Sequence, residues 1–184
     1  MSKHYKIVVC GEGGQGVLSI AKIIATAAWL QGRKAIYLPN FTTEKRGGVS
    51  MAFAQIGDEP IRFPRFEKAD LCVALSQRAL ERLLPFFKDG TVVIVNSMLV
   101  KDLSGIEQWK PYRVDATTIA KEQLKKPRTF NMVIMGAMLK CIPGLSVEGF
   151  DGALKKQFDS KYKKDPTLKD LNEKAFRIGY ELIS

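Results

Sequence analysis

Six residues near the start of the chain carry the arrangement most capable of chemistry: Gly11-Glu12-Gly13-Gly14-Gln15-Gly16, four glycines on a G-x-G-x-x-G spacing. They follow an apolar β-branched run, Ile7-Val8-Val9, ending in Cys10, and lead straight into a long Ala/Ile/Leu segment. A chain that leaves a buried strand and turns at once into a helix needs bare backbone at the corner. That corner also leaves the first N–H groups of the helix without intrahelical partners, and the helix dipole makes them a receptor for an anion. Gly11, Gly13, Gly14, Gln15 and Gly16 are therefore candidate binding residues for the anionic group of a cofactor. Tight strand–helix packing explains the same glycines without any ligand. The two readings part on geometry, because a bend filled by its own side chains leaves no room for a guest.

Two further places could take part. In Thr42-Thr43-Glu44-Lys45-Arg46-Gly47-Gly48, Arg46 has the planar fork that grips a phosphate or carboxylate. A plain charged loop with a bulge is the competing account. Asn96-Ser97 closes an apolar run, at the carboxyl end of a strand where open α/β sheets place ligands, so Asn96 is another candidate. Ordinary dinucleotide binding is disfavoured: the second strand ends in Pro39-Asn40-Phe41, without the acid that would hold ribose hydroxyls. No residue is nominated as catalytic. Cys10, Cys72 and Cys141 are widely spaced and His4 is the only histidine, so the sequence offers no zinc site and too few thiols for a four-cysteine cluster. Met132, Met135 and Met138 read as core or subunit-contact residues.

The elements that must position these residues follow from periodicity and punctuation. A strand over residues 5–10 is followed by a helix over 15–31, which stops at Gly32. A second strand, 35–38, completes a βαβ unit if it pairs in parallel with the first. Residues 49–56 alternate as a strand, Gly57-Asp58-Glu59-Pro60 reads as a turn, and 61–63 as a short returning strand, giving a β-hairpin insert after strand two. Strand 69–75, helix 77–84 capped by Ser76, and strand 91–95 repeat the parallel pattern. Residues 112–115 form one more short strand, and Asp115 or a following threonine caps a helix over 119–124. Residues 131–141 form a Met-rich apolar helix. Ser146 opens an amphipathic helix to about residue 158, and 168–183 form the last. The expectation is a Rossmann-like α/β fold: a mostly parallel sheet flanked by helices, in a single domain over 1–184 with 146–184 as a helical tail.

Composition narrows the class. At 184 residues the chain suits one domain with a real core, and no apolar run reaches the ~18 residues that span a bilayer. The opening residues lack the pattern of a secretion signal, which suggests the cytoplasm. The net charge of +10 raises nucleic acid as a partner, yet the lysines gather late and are interleaved with acids. That is the pattern of a solvated face or a surface for an acidic partner. Neither nucleic acid nor membrane is expected.

With GEGGQG, TTEKRGGVS, ADLCVALS, TVVIVNS and NMVIMGAM in that order, the chain resembles the gamma subunit of 2-oxoacid:ferredoxin oxidoreductases over residues 6–144. The resemblance implies a component of a larger enzyme that oxidatively decarboxylates a 2-oxoacid, best matched to 2-oxoglutarate, to an acyl-CoA. Thiamine diphosphate, magnesium and iron–sulfur clusters are then expected in partner subunits. The implied partners are alpha and beta subunits, with a ferredoxin-like delta subunit or an external ferredoxin. Coenzyme A is a candidate ligand of the glycine loop and Arg46. Glu44, Arg46, Gly47 and Gly48 are candidate subunit-contact residues. The alternative is a freestanding Rossmann-type nucleotide-binding regulatory module.

Overall fold

Alternation along the first strand sets the architecture. In the computed structural model, which describes residues 4–40 and 48–183, β1 (His4–Glu12) sends Ile7 and Val9 to one face and Val8 and Cys10 to the other. All four are fully buried. A strand with no polar side is one covered by other elements on both faces.

The other strands are β2 (Lys34–Asn40), β3 (Val49–Gly57), β4 (Leu71–Ala74), β5 (Val92–Asn96) and β6 (Tyr112–Val114), and the sheet runs β2-β3-β1-β4-β5-β6. β1, β4, β5 and β6 pair in parallel. β3 runs against both of its neighbours, β1 and β2. Two expectations are corrected here. β2 does not pair with β1, because β3 lies between them, Ala54 opposite both Ile7 and Tyr37. No returning strand forms over 61–63; the antiparallel insert is β3 itself, folded back on β2. β3 is buried along nearly its whole length, as a central strand must be, whereas Ile61-Arg62-Phe63 is largely exposed and is followed by Pro64, which has no N–H to give to a ladder.

Helices cover both faces. α1 (Val17–Leu30), α4 (Phe130–Cys141), α5 (Val147–Lys164) and α6 (Thr167–Glu181) close over Ile7 and Val9. α2 (Gln77–Leu83), with the 3-10 turns Leu84–Phe86 and Glu107–Trp109, closes over Val8 and Cys10. Ser76 caps α2 by accepting from the Ala79 amide, and Ser146 caps α5 by accepting from that of Gly149. Asp115 caps the short α3 (Ala116–Thr118), which continues as a π-helical turn over Ile119–Gln123.

The two C-terminal helices are part of the core. Phe150 of α5 and Phe176 of α6 are buried and stacked, with ring centroids 4.2 Å apart. α4 and α6 cross at Gly136 and Gly179, where a Cβ would run into the carbonyls of Phe176 and Val133 respectively. No helix among the described residues is long and apolar enough to cross a membrane.

Candidate functional site

The chain moves from β1 toward β2 on one side and returns to place β4 on the other. The carboxyl ends of β1 and β4 therefore flank a switch point, the crevice where open α/β sheets take ligands. The glycine loop lies there, but its inner side is filled. Gln15 folds back so that its Oε1 accepts from the Glu12 amide at 2.7 Å and its Nε2 donates to the Leu75 carbonyl at 3.3 Å. The Gln15 amide N–H in turn donates to the Glu12 carbonyl at 3.1 Å. Gly11 is bare for this reason: a Cβ there would lie 2.6 Å from Gln15 Oε1, 2.9 Å from Val17 Cγ2 and 3.0 Å from Leu75 Cβ. Gly11 and Gln15 are thus the packed floor of the corner.

The outer lip is open. Gly13 and Gly14 are exposed, and a Cβ on either would meet nothing within 4 Å. Gly14 (φ 88°) and Gly16 (φ 79°) adopt left-handed backbone, which carries the chain over the corner and into α1. Gly16 is the N-cap; no side chain caps it and the first turn has no acid. The amides of Val17, Leu18 and Ser19 accordingly keep the anion-facing character of a helix start.

Gly14 and Ser19 form one rim of a cleft of about 630 Å³, and Arg128, Phe130, Asn131, Phe158 and Lys161 form the facing walls. The cleft unites the start of α1, the start of α4 and the flanks of α5 and α6. Arg128 and Lys161 are exposed cations, and Lys161 Nζ lies 5.5 Å from the centre of the Phe158 ring. Asn131 packs against Gly16, its Nδ2 3.1 Å from where a Cβ would be, and its buried Oδ1 has no partner among the described residues. Sequence reasoning missed Arg128, Asn131 and Lys161. The available signal was an asparagine, unusual in an apolar helix start, at the head of NMVIMGAM. Arg128 and Lys161 are brought to the loop only by the docking of α4–α6.

The remaining nominated residues fall elsewhere. Asn96 lies at the end of β5, two strands from β1. It is 0% exposed and donates through Nδ2 to Thr117 Oγ1 at 2.8 Å, with Oδ1 unpartnered among the described residues. It shares the loop's end of the sheet but not its cleft. Glu44, Arg46 and Gly47 lie outside the described residues; Gly48 is buried at the entry to β3.

The three thiols are separate from the cleft. Cys10 and Cys72 are fully buried on the α2 side, where burial pushes Cys10 up to about 12 and raises Cys72 in the same direction. Cys141 ends α4 on the opposite face, its carbonyl accepting from the Tyr5 hydroxyl at 2.9 Å, and burial pushes its thiol up to about 11. Among the described residues no three His, Cys, Asp or Glu side chains converge as a metal site.

Comparison with known proteins adds four findings. The sequence profile of the family described as pyruvate ferredoxin/flavodoxin oxidoreductase matches residues 6–182. The chain is 35% identical over 179 residues to 2-oxoglutarate synthase subunit KorC of Methanocaldococcus jannaschii, covering 96% of this chain and 92% of that one. It is 36% identical over 179 residues to the pyruvate/ketoisovalerate oxidoreductases common subunit gamma of Thermococcus litoralis, covering 93% of this chain and 92% of that one. Its fold is similar to part of the 2-oxoglutarate:ferredoxin oxidoreductase from Magnetococcus marinus, solved with 2-oxoglutarate, coenzyme A and succinyl-CoA bound. The TM-score is 0.88 at 26% identity, over 99% of this chain and 31% of that longer one.

Proposed function

We propose a role for this chain from one premise: it belongs to the pyruvate ferredoxin/flavodoxin oxidoreductase family, as the gamma subunit of a 2-oxoacid:ferredoxin oxidoreductase complex. The complex converts a 2-oxoacid, for which 2-oxoglutarate is our assignment, to an acyl-CoA. Similarity to KorC and to the M. marinus enzyme supports that choice. The T. litoralis relative is named as common to pyruvate and ketoisovalerate enzymes, which fits a gamma chain that does not itself select the 2-oxoacid. Thiamine diphosphate with magnesium would supply the decarboxylation chemistry and iron–sulfur clusters the electron transfer; we assign both to the partner subunits. This chain contributes no catalytic group.

Its contribution is to receive an anionic group of coenzyme A at the outer lip of the glycine corner. The observation that carries this reading is the placement of bare, left-handed Gly14 on the rim of a cleft lined by Arg128 and Lys161. A phosphate there meets main-chain amides on one side and cations on the other. The buried Oδ1 of Asn131, lacking a donor among the described residues, suits an N–H of the same ligand. Because Gln15 fills the inner crevice, the phosphate sits outside the bend rather than under it. Arg46, in the stretch of sequence between β2 and β3, is assigned a supporting grip on the same group.

The test uses the assembled complex. Arg128→Ala is expected to raise the apparent KM for coenzyme A about tenfold, the loss of one charge-assisted hydrogen bond, with the KM for the 2-oxoacid unchanged. Unaltered coenzyme A kinetics in Arg128→Ala and in Arg46→Ala would overturn the assignment. A second role for Glu44, Arg46, Gly47 and Gly48, contact with the thiamine-binding subunits, is separated by size-exclusion chromatography: Arg46→Ala would then release the chain from the complex.

A further inference from the structure

We propose that the end of the sheet opposite the glycine corner is a docking surface for an acidic stretch of a partner subunit in the same complex, with Phe63 as the apolar anchor and Arg62 and Arg65 as carboxylate receivers. The surface is built where β1 begins and β3 ends, His4 to Lys6 pairing with Gln55 to Gly57. It therefore lies a full strand length from the coenzyme A cleft. It rests on the chain's membership in a complex and not on where coenzyme A binds.

Residues 58–68 leave β3 without regular secondary structure, yet they are tied down at three points. Gln55, 3% exposed, donates through Nε2 to the Phe63 carbonyl at 2.6 Å. Phe66 packs edge-on to Phe53, with ring centroids 5.4 Å apart. Lys68 Nζ donates to the carbonyls of Pro85 at 3.0 Å and Phe87 at 2.9 Å. A buried amide is stable only when hydrogen-bonded, and Gln55 uses its donor to fix this segment rather than a sheet rung. The backbone is held, while the Phe63 ring is 78% exposed, the highest value among the large hydrophobic residues described.

Around Phe63 runs a cleft of about 750 Å³, whose rim carries Lys6, Arg62, Arg65 and Lys68 against the acids Glu59 and Glu67. Among the described residues neither Arg62 nor Arg65 forms an ion pair. An exposed aromatic ring between free guanidinium groups, on a fixed backbone, has the composition of an interface centre. A small anion would use the cations but leave Phe63 in water; a protein segment carrying carboxylates beside an apolar residue uses both. Rigid anchoring favours a permanent neighbour, since little ordering entropy is lost on contact. The M. marinus relative agrees with this: the matching part is 31% of its chain, so other parts of one polypeptide accompany it.

The experiment measures affinity of the full chain for the remaining subunits of its complex at low and high salt. Arg62→Glu/Arg65→Glu is expected to weaken assembly at least about tenfold at low salt, with the difference shrinking as salt screens the charges. Phe63→Ala is expected to weaken it to a similar degree at both salt concentrations. Circular dichroism and the melting temperature of the isolated chain should not move, because all three side chains are exposed. The KM for coenzyme A in the complex that still forms should also stay put, which separates this surface from the cleft. Unchanged assembly in both variants overturns the proposal. So does intact assembly with slowed reduction of an added ferredoxin, which would make the surface a landing site for a free carrier instead.

Discussion

At the scale of single residues, the glycine corner joins two jobs that look alike in the sequence. Gly11 is bare because Gln15, Val17 and Leu75 crowd it, whereas Gly13 faces open space. Gly11→Ala should therefore cost about 1–3 kcal/mol of stability, by overpacking and by dislodging Gln15, while Gly13→Ala should lie within about 0.5 kcal/mol of the parent. Urea melts of the two variants check this, and equal destabilisation would mean the floor and lip are not distinct. The sequence held the spacing of all four glycines but not this division, because the division depends on Leu75, which sequence places sixty residues away. The buried thiols give a second expectation. Cys10 and Cys72 keep their protons in the folded chain well above the ordinary thiol value of about 8.5. The unfolded chain releases them first, so stability is intact below about pH 8.5 and falls as pH rises toward the folded values, by at most about 1.4 kcal/mol per pH unit for each thiol. The urea midpoint should be flat from about pH 7 to 8.5 and decline above it, less steeply in Cys72→Ala than in the parent. Identical slopes in the two would refute a buried neutral thiol at position 72.

Elements were legible wherever a local pattern decides them. Ser76 and Ser146 stand just before their helices and both accept from the amide three residues on, as N-cap chemistry dictates. Asp115 does the same for Thr118. The place of β3 was not legible. Its alternation marks a strand, but which strands it joins is settled by sheet closure between segments far apart in sequence, so the expected β1–β2 pairing gave way. The crossing of α4 on α6 was hidden for a similar reason. Gly136 and Gly179 look like weak points in helices of poor propensity, yet each admits the backbone of the other helix. Gly179→Ala should lower stability by about 3 kcal/mol or more, because a carbonyl cannot rotate aside as a side chain can. A melting temperature unchanged from the parent would show that the helices part without penalty. Movement there would reach the cleft proposed for coenzyme A as well, since Asn131 is in the first turn of α4 and Arg128 in the 3-10 turn that leads into it.

For the whole molecule the question is whether residues 146–184 are an appendage or a wall. Phe150, Leu154, Phe176 and Ile183 are buried against the α1 and α4 side of the sheet. Each large apolar side chain contributes about 1.5–3 kcal/mol when removed from water, so these four together approach the entire margin of about 5–15 kcal/mol that separates a folded domain from its unfolded chain. Deleting 146–184 would also uncover the faces of α1 and α4 that they pack on, and would remove Phe158 and Lys161 from the cleft. The truncated chain should therefore lack a cooperative melt and bind a hydrophobic dye, and it should fail to enter the complex even though every residue of the glycine corner remains. A truncated chain that melts cooperatively at the parent temperature would reduce α5 and α6 to an accessory. The expected outcome ties the two ends of the sequence together: the loop that opens the fold borders a cleft only because the last two helices supply its opposite side.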